Sequence, residues 1–197
     1  MQRNRAIVIV LAFILFLVFL GILLTSLLGG GKKPATPTTP VKKVLSLPDY
    51  AGTTAVTSMT IDGRVNGDDL HRAVRITIGQ NQREIDIIQG YSGHVISSQN
   101  FYNTEDAYAV FLRAINYGGF ALPLKTKTPA PADERGECAA SDRYIFSLDQ
   151  YGSNISRLWA SDCGIKVGTL GGDSTALQDL FEAQIPQYNT VVENVQL

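Results

Sequence analysis

Carboxylates and a histidine crowd together at one place in this chain: Asp62, Asp68, Asp69 and His71, all in the run IDGRVNGDDLH. Oxygen and imidazole ligands at that density can hold a divalent cation. A metal gripped by Asp68, Asp69 and His71 could activate water, which is the chemistry of a metal-dependent hydrolase. The spacing is not that of an EF-hand loop, however, and Asn66-Gly67-Asp68-Asp69 is ordinary turn composition between two strands. The expectation is a solvated turn, with the hydrolase as the alternative from another class. His94 opens a strand beside glycine with no acid or nucleophile fixed near it, and it reads as a surface residue. No G-x-S-x-G or H-E-x-x-H accompanies either histidine, so neither nucleophilic nor zinc catalysis is indicated and no cofactor is implied.

The two cysteines, Cys138 and Cys163, show no C-x-x-C spacing and no histidine partner, which argues against redox or metal chemistry. They flank a predicted hairpin, Arg143 to Asp149 and Ile155 to Ser161. A turn centred near Tyr151 or Gly152 sets position 163 opposite roughly position 140, so the cysteines meet at the hairpin's open end. A disulfide there would need an oxidising compartment; two buried thiols are the other reading. The glycine-rich stretch Gly168 to Ser174 (GTLGGDS) enters a helix and could cradle an anion. It lacks the Lys-Ser/Thr of a P-loop and the G-x-G-x-x-G spacing, and Asp173 would repel a phosphate, so it reads as a flexible connection. In Ile155 to Ser161 both faces carry apolar groups. Either the strand is covered twice and Trp159 is buried, the expected outcome, or Trp159 and Arg157 join Tyr151 in a partner-binding surface.

Elements of two periods must position these groups. Ala55 to Asp62 is rich in β-branched residues; Ala73 to Gly79 alternates Val74, Ile76 and Ile78 with Arg75 and Thr77; Arg83 to Gln89 alternates Ile85 and Ile87 with Glu84 and Asp86. With His94 to Asn100 these form an antiparallel meander, one face apolar and one wet. The period then changes. Asn103 or Thr104 caps a helix with Glu105 and Asp106 in its first turn and Tyr108, Phe111, Leu112 and Ile115 on one stripe, ended by Gly118-Gly119. A proline-containing polar loop, Lys125 to Glu137, precedes the second hairpin. A last helix, Ser174 to Ala183, turns Leu177, Leu180 and Phe181 inward. The predicted class is α+β: an antiparallel sheet of about six strands with two packed helices.

Charge divides the chain. Residues 1–43 hold six of the 17 Lys and Arg and none of the 18 Asp and Glu, so the body from Val44 onward carries about −7. That balance argues against nucleic acid as a partner of the body. Ala6 to Leu28 is an uncharged run of 23 residues, long enough for a helix to cross the roughly 30 Å hydrocarbon core of a bilayer. It exceeds a signal-peptide core and no Ala-x-Ala follows, so the run reads as a retained single-pass anchor whose partner is membrane lipid. Residues 1–5 would be a short cytoplasmic tail, 29–43 a Pro/Thr/Lys-rich stalk and 44–197 the displayed domain. Arg3 and Arg5 before the run are outnumbered by Lys32, Lys33, Lys42 and Lys43 after it, which by itself favours the body inside. The stalk composition and the paired cysteines favour an extracytoplasmic body at the cell membrane, and that orientation is the expectation taken.

The stretch from Phe111 to Ile185 contains LRAINYGGFALP, the loop TPAPADERGECAASDRYIFSL and the helix STALQDLFEAQI. It resembles an uncharacterised family of single-span envelope proteins from small-genome bacteria. Its layout of helix, G-F-x-L-P, proline loop, tyrosine-containing strand and final helix is also similar to emfourin-type inhibitors of metalloproteases, although no inhibitory residue carries over. The resemblance implies a non-catalytic module that binds an envelope or secreted protein, with protease inhibition as its sharper version.

Overall fold

Strict alternation builds the sheet. In the computed structural model, which describes residues 45–164 and 167–197, seven strands form: β1 (Val56–Asp62), β2 (Arg72–Ile78), β3 (Gln82–Gln89), β4 (His94–Tyr102), β5 (Arg143–Gln150), β6 (Ser153–Ser161) and β7 (Val167–Gly168). They lie in the order β4-β3-β2-β1-β5-β6-β7, every neighbouring pair antiparallel. The first strand thus becomes the central one: the meander grows from one side of β1 and the second hairpin from the other. The predicted tail (1–5), membrane helix (6–28) and stalk (29–43) lie outside the described residues. Among the described residues no helix is long and apolar enough to cross a membrane.

Register converts alternation into a layered core. Met59 stands opposite Ile76 on one side and Phe146 on the other, and the row continues to Ile85 and Leu158, so every strand from β3 to β6 contributes one apolar side chain to it. Two helices cover this face. Helix α1 (Glu105–Tyr117) buries Tyr108, Phe111, Leu112 and Ile115, and α2 (Ser174–Glu182) buries Leu177 and Phe181. Phe111 meets Phe181 edge to face, with ring centroids 5.1 Å apart. The Tyr108 hydroxyl donates to the Ala55 carbonyl at 2.8 Å, and burial pushes its phenol up to about 12.

Helix ends follow their caps. Of the two candidates for α1, Thr104 is the cap: its hydroxyl accepts from the Ala107 amide at 3.2 Å. Asp173 caps α2, accepting from the Ala176 amide at 3.0 Å. Among the described residues one strand and one α-helix escaped the sequence reading, the two-residue β7 and a short helix α3 (Tyr188–Val192), making seven strands and three α-helices where about six and two were expected. Both are too short to show a period. Nor is Gly168 to Ser174 merely a connection. A Cβ on Gly168 would lie 2.2 Å from the Trp159 carbonyl oxygen, and one on Gly172 would lie 2.5 Å from the carbonyl oxygens of Gly118 and Gly119. These glycines let backbone press against backbone where the chain crosses from the sheet to α2.

Candidate functional site

The opposite face of the sheet mixes polar with apolar side chains, and register decides what it displays. In three successive cross-strand rows, Asp62 stands between Ala73 and Arg143, Thr60 between Arg75 and Ile145, and Ser58 between Thr77 and Ser147. Among the described residues no helix covers these rows. The proline loop instead passes over β6 as a strap: the Trp159 indole donates to the Pro131 carbonyl at 2.8 Å, and Arg157 donates to the Ala132 carbonyl at 3.2 Å. Between this strap, the β1–β2 loop and the β3–β4 turn lies a cleft of about 590 Å³ floored by Ser58, Thr60 and Ser147. That volume falls in the range of small-molecule sites.

Ion pairs organise its walls. Arg143, almost wholly buried, donates to Asp62 Oδ2 from Nε at 3.0 Å and from Nη2 at 2.6 Å, and also reaches the Gly63 carbonyl. His71 Nε2 lies 2.8 Å from the other Asp62 oxygen, and His71 Nδ1 lies 3.3 Å from the Arg64 carbonyl. Asp62 therefore clamps β1, β2 and β5 at one end of the cleft. Arg75 pairs with buried Asp86 at 2.7 Å. Arg157 pairs with Glu134, whose two carboxylate oxygens both sit 2.6 Å from its Nη2; only Oε1 is aligned to accept a hydrogen bond, and buried Oε2 has the charge contact alone. The Arg75 and Arg157 side chains are partly exposed, and both line the cleft at the flanks of its hydroxyl floor.

A tyrosine shapes the rim. Tyr91 stacks on His71 with centroids 4.1 Å apart; its hydroxyl donates to the Asn66 carbonyl at 3.0 Å and accepts from the Asn66 amide at 3.1 Å. An aromatic side chain half open to solvent is thus held at four points, because its own amide also donates to Asp68 Oδ1 at 2.8 Å.

The acidic run expected around His71 is divided by the fold. Asp62 and His71 are brought together, whereas Asp68 caps the β3–β4 turn and Asp69 uses its carbonyl to accept from Arg72 and Gln89. Among the described residues no three His, Cys, Asp or Glu side chains are placed to hold a metal ion. The sequence reading of a solvated turn fits Asp68 and Asp69, which are exposed, but not His71, which is buried. His94 is exposed, as expected.

The Cys138–Cys163 disulfide is present, its Cα atoms 5.7 Å apart. Of the two readings of β6, the expected one holds, and the alternative partner surface of Trp159, Arg157 and Tyr151 does not form as a unit. Trp159 is completely buried beneath the strap, Arg157 lines the cleft, and Tyr151 is exposed at the hairpin tip. Alternation had placed Arg75 and its partner Asp86 on the wet face, but nothing local pointed to Arg143 or Glu134 as cleft residues. Glu134 in particular lies in a loop whose composition reads as solvated.

No protein-family model matches this chain. Nor does any curated protein match it. Its own geometry therefore carries the functional reading.

Proposed function

We propose that this chain is a membrane-anchored, extracytoplasmic binding module of the cell envelope that recognises a partner protein and performs no catalysis. One observation carries the binding half: the cleft on the open sheet face combines a fixed aromatic rim, a hydroxyl floor and guanidinium flanks, while each of its charged pairs is already matched within the fold. Such a surface is preorganised to recognise polar and planar groups. Of the side chains there suited to general acid–base work, His71 has both ring nitrogens beside protein oxygens, Asp62 and Glu134 are paired with Arg143 and Arg157, and the Tyr91 hydroxyl is bonded to the Asn66 backbone. The address rests on the uncharged run from Ala6 to Leu28 and on the disulfide, which persists in oxidising compartments.

A membrane-impermeant maleimide applied to intact cells tests the address. Labelling of the full chain only after reduction is the expected result. Labelling that requires permeabilised cells and no reductant overturns it. For the binding half, a photo-cross-linking residue at Tyr91 should give a discrete adduct in cells, while one at Tyr117, exposed on the outer face of α1, should not. Equal behaviour at both positions removes the cleft from the proposal.

A further inference from the structure

Asn66-Gly67 is the only place in the chain where an asparagine is followed by glycine. That pair is chemically labile, because glycine has no side chain to hinder its amide nitrogen as it attacks the neighbouring side-chain carbonyl. A fold permits the attack when both groups are open to solvent, free of hydrogen bonds and joined by backbone outside a regular element.

The β1–β2 loop meets these conditions. Both residues are exposed and lie outside any helix or strand. Among the described residues neither the Asn66 side-chain amide nor the Gly67 amide has a hydrogen-bond partner. Asp62-Gly63, at the start of the same loop, supplies the contrast. There the Gly63 amide donates to the Arg72 carbonyl at 3.1 Å, and the Asp62 carboxylate is held by Arg143 with His71 beside it, so the equivalent ring closure is blocked.

We infer that Asn66 is a modification site that deamidates without an enzyme, and that its isoaspartyl product releases Tyr91 from the cleft rim. The Gly67 nitrogen bonds to Asn66 Cγ, and the side-chain nitrogen leaves as ammonia, taking the Gly67 proton. Water then opens the resulting succinimide. Cleavage of its Cγ–N bond gives aspartate on an unaltered chain. Cleavage of its other C–N bond gives isoaspartate, in which the chain runs through Cβ and Cγ and is longer by one carbon.

Tyr91 is fastened on both sides of that extra carbon. Its hydroxyl bridges the Asn66 amide and carbonyl, and its own amide donates to Asp68 Oδ1. Only Gly67 separates Asn66 from Asp68, so lengthening the link between Asn66 and Gly67 puts the two anchors out of register. The Gly67 carbonyl also accepts from the Leu70 and His71 amides, which carries the displacement to the imidazole on which Tyr91 stacks. Loss of binding through this rim rests on the cleft reading above; the modification and the release of Tyr91 do not.

Ageing the purified full chain in detergent at neutral and mildly alkaline pH, followed by peptide mapping with isoaspartyl methyltransferase labelling, tests the modification. Isoaspartate should accumulate at residue 66 at least about tenfold faster than at asparagines whose next residue bears a side chain, and faster at the higher pH. Its rate should be close to that of a free peptide spanning residues 62–72; a folded chain slower than the peptide by about tenfold or more overturns the inference, because the fold then protects Asn66. In Gly67→Ala the added carbon meets only the flexible Asp69 carboxylate, at 3.0 Å, so this variant should keep the wild-type melting transition and deamidate more slowly. An unchanged rate overturns attack by the Gly67 nitrogen. For the release of Tyr91, the deamidated fraction, separated by its added charge and mapped as mostly isoaspartate, is compared with fresh Asn66→Asp, which has the same charge on an unaltered chain. Hydrogen exchange of the Tyr91 amide should accelerate in the aged fraction and stay at the wild-type rate in the variant. Equal rates in the two overturn the release. None of these readouts involves a partner, so a cleft that binds nothing would leave them as stated.

Discussion

Asp62 holds more of this fold than its place at a strand end suggests. It accepts from a guanidinium on β5 and lies beside an imidazole at the start of β2, and Arg143 is only 1% exposed. Removing one partner of a buried pair leaves the other desolvated and unmatched. Asp62→Ala should therefore cost about 3–5 kcal/mol, read as a lowered midpoint in urea unfolding, with Asp62→Asn costing less. Asp142, the neighbour of Arg143, behaves oppositely. Burial, then the nearby Asp162 carboxylate, push its pKa up. The folded chain thus holds this proton more tightly than the unfolded chain. Stability falls as pH rises from the ordinary carboxylate range through the raised value, and the whole cost is present at neutral pH. Asp142→Asn should raise the melting temperature at pH 7 and change nothing at a pH low enough to protonate both states. A gain of equal size at both pH values would show that charge is not the cause.

At the level of elements, the crossing from β7 to α2 depends on absent side chains. Gly168 has φ +128° and faces the Trp159 carbonyl; Gly168→Ala combines backbone strain with overlap and should cost about 3 kcal/mol or more. Gly52→Ala is the matched control, its added carbon meeting nothing closer than 3.5 Å. Thermal melts of the two variants should separate clearly. Helix α1 offers a finer measurement: Thr104→Ala removes one satisfied amide at its start and should cost about 1 kcal/mol. How far these elements could be read in advance depended on their length. Strands of seven to nine residues and a thirteen-residue helix repeat their period often enough to be recognised. A two-residue strand and a five-residue helix do not, and they exist because neighbours hold them.

For the whole molecule, the disulfide ties the strap to the end of β6 across a separation of 25 residues. Closing a loop of that size stabilises by about 3 kcal/mol in the chain-entropy model. Cys138→Ser/Cys163→Ser should lower the melting temperature by several degrees, and reductant should then have no further effect. Residue order by itself determined the class of this protein: alternation, the helical stripe, turn residues and the spacing of two cysteines are all local, and each signals its element without knowledge of the rest. It also determined the uncharged amino-terminal run and the division of charge. The cleft was decided only by the tertiary structure. Asp62 and Arg143 lie 81 residues apart, and Glu134 is buried only because Arg157 comes to it across the strap. Which charges meet depends on which strands neighbour one another, and strand order, with β1 at the centre and β4 at the open edge, follows from packing the whole chain at once.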